Sequence, residues 1–511
     1  MDCQYTGQNI NVSNVLLKQK VEVPIDSEIM LPDYCSDIKR MLKCKVKASV
    51  TSKSINGDNL DVEGEAIVWI CYVDEDDKIK SFEERIPFSR AFDLPSVPEM
   101  PVVEVKVKSS FINCKAVTQR RIDVHCSLNM KAVVKSFASM KIVTDIDEPC
   151  VQQQRDSSNA SILIGADEKY LIVSDEMGVA DTADSIKSII RSETKIIISD
   201  TKIIGNKVVV KGDLKVKILY LGEESGGYFT AQESFPFSQI LDINGLTENC
   251  TCYVDTSVLN CEARPQTDMS GMLRKAIIGA KLYLSVTAFC NSKVPFLTDA
   301  YSTNDELSLT VEPLKLERVA YTYNDRCQIA KKLDVPVESI ETVIDMWCEA
   351  ECNKVSLSNG HLGMLGTLCV SLLANDSNDE PQYFERNVDF ELDTEVDQSV
   401  SGSDFVCSLM PYGITSTQSR GGLEIKADVH IRIDVLESDS VDVITNAEFG
   451  EKLKSKYGNS SIVIYRAEGG ERLWDIAKRY NTSVSSITGL NSLSGETVAD
   501  DMTIVIPVGI A

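Results

Sequence analysis

The 511-residue sequence predicts a mainly β fold: three tandem antiparallel β-sandwich-like repeats, each with one short helix, followed by a small βααβ domain. Three observations carry this expectation. A long strand pattern with apolar residues at every second position recurs three times. The same order of flanking elements surrounds each copy. The last 50 or so residues switch from period two to the helical period.

The recurring strand reads Leu60, Val62, Gly64, Ala66, Val68, Ile70 and Tyr72 in the first copy. It reads Val208, Val210, Gly212, Leu214, Val216, Ile218 and Tyr220 in the second. The third is looser but in phase, with Met364, Gly366, Leu368, Val370, Leu372 and Ala374. Alternation of this length means one buried face. Upstream of each strand, apolar residues at i, i+3 and i+4 predict the short helix: Ile38, Met41 and Leu42, then Ile186, Ile189 and Ile190, then Ile340, Val343 and Ile344. Downstream stand Ile86-Pro87-Phe88, Phe235-Pro236-Phe237 and Val388-Asp389-Phe390. The segments SFINCKA at 110–116 and SVLNCEA at 257–263 match between the first two copies, and each copy closes with an alternating strand, at 122–132, 276–286 and 423–435. Many strands without long helices favour sandwiches over a parallel sheet. The expected boundaries are 1–148, 162–298 and 314–437 for the repeats, with polar linkers at 149–161 and 299–313. A hinge is expected at 438–461, with a short helix around 447–457, and the terminal domain at 462–509.

Composition narrows the function. With 52 basic and 77 acidic residues the formal net charge is −25, so no field gathers phosphates and nucleic acid is not an expected partner. The start, MDCQYTGQNI, shows no basic segment leading into an apolar one, and no uncharged apolar run is long enough to span a bilayer. Neither a signal peptide nor a membrane span is expected. The 16 cysteines read as reduced thiols acting as small buried hydrophobes. Cys250-x-Cys252 and Cys348-x₃-Cys352 lack the second pair or histidine that a closed zinc site needs. No phosphate loop, H-E-x-x-H or G-x-S-x-G pattern occurs, and Ser36-Asp37-Ile38-Lys39 matches S-x-x-K without its companion motifs. The expectation is a protein without catalytic residues, metal or cofactor.

In the tail, 462–465 reads as a short strand, while Leu473, Ile476, Ala477 and Tyr480 make one helix face. Val484 and Ile487 suggest a second helix, and Met502, Ile504 and Ile506 a closing strand. The blocks YRAEGGERLWDIAKRY, SVSSITGLN and TIVIP, in that order, resemble a LysM domain. The upstream repeats, with Asp37-Ile38, the Gly-to-Tyr strand and the Pro-Phe block, resemble the SPOCS domain of clostridial spore coat proteins, the third copy being diverged. SPOCS repeats followed by LysM are similar to the SpoIVA-interacting protein L family. The resemblance implies a mother-cell protein at the forespore surface and spore coat. It also implies docking on a SpoIVA-like coat morphogenetic ATPase, largely through the LysM domain.

LysM domains in general imply binding to N-acetylglucosamine chains, which makes a peptidoglycan-binding wall or cortex protein the alternative. Here the usual Gly-Asp-Thr of the first loop stands as Gly470-Glu471-Arg472, and the usual Pro-Gly-Gln turn as Asp500-Asp501-Met502. Burying these charges under a neutral glycan carries a desolvation cost, whereas charge suits a protein partner. The expected partner-binding surface comprises Arg466, Gly469, Gly470, Glu471, Arg472, Trp474, Asn491, Asp500 and Asp501. Core packing competes for Trp474, and backbone bonding for Asn491. Self-association through strand edges is allowed, opposed by the acidic charge unless salt or a basic partner screens it.

Overall fold

The computed structural model describes residues 4–180, 182–336, 340–419, 422–453 and 460–508. The first repeat runs β1 (Tyr5–Met30), β2 (Arg40–Asn56), β3 (Asn59–Val73), β4 (Ile79–Asp93), β5 (Val102–Ala116) and β6 (Arg121–Ile146). The second runs β7 (Val151–Gly178), β8 (Ile186–Ile204), β9 (Lys207–Gly222), β10 (Tyr228–Asp242), β11 (Cys250–Gln266) and β12 (Lys275–Ser302). The third runs β13 (Asp305–Leu333), β14 (Thr342–Ser358), β15 (His361–Asn375), β16 (Pro381–Glu395), β17 (Asp404–Ser419) and β18 (Gly422–Lys452). Each repeat builds two three-stranded antiparallel sheets, in the first repeat β2-β3-β4 and β1-β6-β5. Apolar faces of the two sheets share one core, where Leu60, Val68 and Tyr72 of β3 meet Ile122, Leu128 and Val134 of β6.

The recurring glycine and phenylalanine explain each other. Gly64, Gly212 and Gly366 stand directly across from Phe88, Phe237 and Phe390 on the neighbouring strand. A Cβ built on Gly64 would lie 2.2 Å from the Phe88 ring, and one on Gly366 would lie 2.5 Å from Phe390. The ring lies over a strand position that only glycine leaves open.

The expected helix in each repeat is absent, and the two helices of the described residues both lie in the C-terminal domain. Met41 and Leu42, Ile189 and Ile190, and Val343 and Ile344 belong instead to β2, β8 and β14. The spacing has another cause: Ile38 and Ile340 precede the strands, and the adjacent apolar pairs that follow lie at β-bulges, between Met41 and Lys43, Ile189 and Arg191, and Val343 and Asp345. Neighbouring strand residues face opposite ways, so Met41 and Ile189 pack in the sandwich cores while the residue after each turns the other way. The bulged residues, Leu42, Ile190 and Ile344, turn toward a common centre where the three repeats meet. There Trp69 packs edge-on against Trp347 with centroids 6.2 Å apart. The Arg191 guanidinium lies 3.8 Å from the Trp347 ring centre and pairs with the buried Asp345 carboxylate at 2.8 Å.

The linkers and hinge are also corrected. Val151 onward is paired strand in β7, β12 runs to Ser302, β13 starts at Asp305, and β18 stays paired to Lys452. The short helix expected around 447–457 is strand over its first part; 454–459 lie outside the described residues. These stretches are the outer halves of three long two-stranded ribbons, β1/β6, β7/β12 and β13/β18, which pack on one another. Val143, Leu297 and Ile444 form one shared cluster with Ile146, Ala300 and Ala447, and Ile142, Phe296 and Val443 form the next.

Candidate functional site

The C-terminal domain folds as β19 (Ile462–Ala467), α1 (Leu473–Arg479), α2 (Val484–Asn491) and β20 (Met502–Pro507), with β19 and β20 antiparallel. Leu473, Ile476, Ala477, Ile487, Ile504 and Ile506 fill its core. The Ser483 side chain caps α2 by accepting from the Ser486 N–H at 3.0 Å.

The loops before α1 and before β20 are stitched together. Gly469 N–H donates to Asp501 Oδ1 at 2.8 Å, Gly470 N–H to the Val498 carbonyl at 2.8 Å, and Val498 N–H to the Glu471 carbonyl at 2.9 Å. Gly470 holds φ at +92°, which favours glycine. Glu471 turns inward: its carboxylate accepts from Tyr465 Oη at 2.9 Å and from the Glu468 N–H at 3.1 Å. That carboxylate raises the Tyr465 phenol above its usual value by stabilising the protonated form. Arg472 is exposed and pairs with Asp475 at 3.2 Å. Arg466, Asp500 and Asp501 are exposed. The result is an ionic rim whose loop N–H donors at Gly469 and Gly470 are already engaged.

Asn491 is used inside the domain. Its amide donates to the Ile487 and Val505 carbonyls at 2.8 and 2.7 Å and accepts from Val505 N–H at 2.7 Å, bolting α2 to β20. Trp474 is half-buried, and what covers it comes from the second repeat. Its Nε1–H donates to Asp299 Oδ2 at 2.8 Å, while Lys478, one turn on, donates to both Asp299 oxygens at 2.6 and 2.8 Å. Tyr301, also on β12, meets the indole edge-on at 5.0 Å and donates to the Thr482 carbonyl at 2.7 Å. Tyr301 is 6% exposed and belongs to the domain's own core cluster.

The structure thus gathers Gly469, Gly470, Arg472, Asp500 and Asp501 at one rim and sets Trp474 on a different face, against the ribbon. Asp299 and Tyr301 were not among the sequence candidates; both fell in the stretch read as a linker, 299–313. A signal existed. Thr144-Asp145, Thr298-Asp299 and Thr445-Asn446 stand at corresponding positions of the three ribbons, each threonine at a bulge and bonded to a carbonyl of the partner strand.

The model of the SipL SPOCS domain matches residues 37–117 and 185–266, and the LysM domain model matches 465–507. The chain thus contains SipL-type SPOCS domains followed by a C-terminal LysM domain. No curated protein and no solved structure matches it. The SPOCS matches lie within the first two repeats, from β2 to β5 and from β8 to β11, and the third repeat shows the same two-sheet layout in the structure. The SipL family is non-enzymatic. Among the described residues no cluster of three or more His, Cys, Asp and Glu side chains could hold a metal ion, and no helix is long and apolar enough to cross a membrane.

Proposed function

We propose that this chain is a non-catalytic scaffold of spore-coat assembly that docks on a SpoIVA-like morphogenetic ATPase through its LysM domain and helps attach the coat to the forespore from the mother-cell side. The family composition supports the scaffold role. The ionic rim supports a protein partner: Arg466, Arg472, Asp500 and Asp501 are exposed while the Gly469 and Gly470 donors are bonded within the domain. A neutral glycan would have to desolvate those charges and would find few free backbone donors. A charged protein surface could pair with them and be steered by them. Because Trp474 and Lys478 are held by Asp299, the LysM domain acts from a fixed seat on the second ribbon, and its rim is the face offered outward.

The test is binding of the full chain to the purified ATPase and, in parallel, to peptidoglycan fragments, using wild type, Arg472→Ala and a double Arg466→Ala/Asp500→Ala variant of verified fold. Protein binding that weakens in the rim variants supports the proposal. Glycan binding without ATPase binding overturns it and makes the chain a peptidoglycan-binding wall or cortex protein.

A further inference from the structure

Among the 15 free cysteines described, one pair combines a strand register with a hydrogen-bonding device. Cys250, the first residue of β11, stands directly across from Cys290 on β12. Directly opposed residues of an antiparallel pair lie within the Cα separation that a disulfide spans. Thr247, in the exposed turn just before β11, serves both sulfurs. Its N–H donates to Cys250 Sγ at 3.3 Å, and its hydroxyl lies 3.4 Å from Cys250 Sγ and 3.7 Å from Cys290 Sγ. The turn itself is fixed by Cys250 N–H donating to the Thr247 carbonyl at 3.0 Å.

Two donors on one sulfur favour its thiolate. The two thiols are also unequal. Burial pulls Cys250 up, but the Thr247 hydroxyl and N–H, with the Cys290 thiol, hold it below its usual value. Burial and the neighbouring Cys250 sulfur leave Cys290 above its own. One sulfur is set up to attack and the other to follow. Other cysteines face each other, Cys44 with Cys114 and Cys352 with Cys407, but between the two sheets of a sandwich rather than across one ladder at an exposed turn.

We propose that Cys250 and Cys290 form a redox-active dithiol that reacts with small hydroperoxides and closes into a cross-strand disulfide. The Cys250 thiolate attacks the O–O bond: an S–O bond forms, the O–O bond breaks, and the leaving oxygen takes a proton from solvent as water or an alcohol. Cys290, as thiolate, then attacks the sulfenic sulfur: an S–S bond forms, the S–O bond breaks, and the hydroxyl leaves as water after taking a proton. With hydrogen peroxide, two thiols lose two electrons and two protons, and the peroxide becomes two waters. The product staples edge strand β11 to β12, the strand whose far end carries Asp299 and Tyr301.

The experiment treats the folded full chain with hydrogen peroxide and maps disulfides by mass spectrometry of unreduced digests over time. The expected result is a Cys250–Cys290 peptide pair appearing before any other linkage. Cys290→Ser should leave Cys250 trapped as a sulfenic acid that a dimedone probe labels, and Thr247→Val should slow closure several-fold. Equal or earlier oxidation of another cysteine pair, or no dimedone adduct on Cys250 in a folded Cys290→Ser chain, would overturn the proposal. So would an unchanged rate in Thr247→Val.

Discussion

The ribbon tips of the first and second repeats carry the same residue pair at the same bulge, yet they do different work. Asp145, in the first, accepts from Gln153 Nε2 at 2.6 Å and from Arg155, both on β7 of the next repeat. Asp299, in the second, turns to Trp474 and Lys478 of the LysM domain. The third tip has Asn446, which accepts from Tyr5 Oη of the first repeat at 3.1 Å. The register explains the difference. Gln153 and Tyr5 hold corresponding places on β7 and β1, and the same place on β13 is Leu309, opposite Ala447 as Gln153 is opposite Ala300 and Tyr5 opposite Ile146. Leucine has no polar group, so the second tip's carboxylate has no equivalent neighbour to satisfy and is available to the LysM domain. A three-way internal repetition is broken at one side chain, and the C-terminal domain sits at the break.

The strongest way to break this arrangement is at Tyr301. Its ring is buried among LysM core residues and its hydroxyl holds the Thr482 carbonyl. Tyr301→Ala should cost about 3 kcal/mol, the usual range for removing a buried aromatic, and should free the C-terminal domain. Limited proteolysis reads this as faster release of a C-terminal fragment, and release at the wild-type rate would show that the seat is not held there. The same group gives a pH signature. Burial first, and then the Asp299 carboxylate, push the Tyr301 phenol above its usual value. A raised folded-state pKa means that its contribution is complete below the unfolded value of about 10 and is lost as pH rises through the folded value. Fragment release by an alkaline-stable protease should therefore accelerate above about pH 10 in wild type. Tyr301→Phe should remove that acceleration while keeping most of the packing.

A matched pair of substitutions sharpens the comparison of the tips. Asp299→Ala leaves the Trp474 N–H without its acceptor in a half-buried place and should cost about 1 kcal/mol, loosening the LysM domain in the same proteolysis assay. Asp145→Ala removes a more exposed carboxylate, 43% accessible against 26% for Asp299, and should cost about 0.5 kcal/mol or less without changing fragment release. Equal release from both variants would mean that the LysM domain responds to general loosening of the ribbons and not to its own acceptor.

How much of this was legible depends on which periodicity each segment keeps. The strands β3, β9 and β15 were readable because one face is buried without interruption, and the glycine and phenylalanine between them mark a contact the register confirms. The LysM domain was readable because a 3.6-residue period is unlike its surroundings. The helices assigned to Met41-Leu42 and its counterparts were misread because two adjacent apolar residues at a bulge, facing opposite ways, imitate a helical i+3, i+4 pair. The outer ribbons were misread as linkers and hinge because each strand there shows solvent a polar face, and the apolar face meets two other repeats about 150 residues away rather than a local partner. Of the candidate site, Gly469, Gly470, Asp500 and Asp501 lie in the two loops before α1 and before β20, which are bonded to each other. The acceptor for Trp474 lies 175 residues upstream, and pattern within the domain carries no trace of it.

The gentlest change addresses the break in the repetition directly. Replacing Leu309 with glutamine gives β13 the residue type that the first tip uses at the corresponding place, Gln153. Leu309 is only partly buried against the shared ribbon cluster, so the loss of packing should be about 1 kcal/mol, below the usual cost of a full core truncation. The new amide can donate to Asp299 as Gln153 donates to Asp145, competing with Trp474 and Lys478 for one carboxylate. C-terminal fragment release should then rise above that of a Leu309→Met control of similar size that offers no donor. Equal release from the two Leu309 variants would mean that Asp299 is held to the LysM domain by the geometry of β12 itself, and that the missing polar group on β13 is a consequence of that seat rather than its cause.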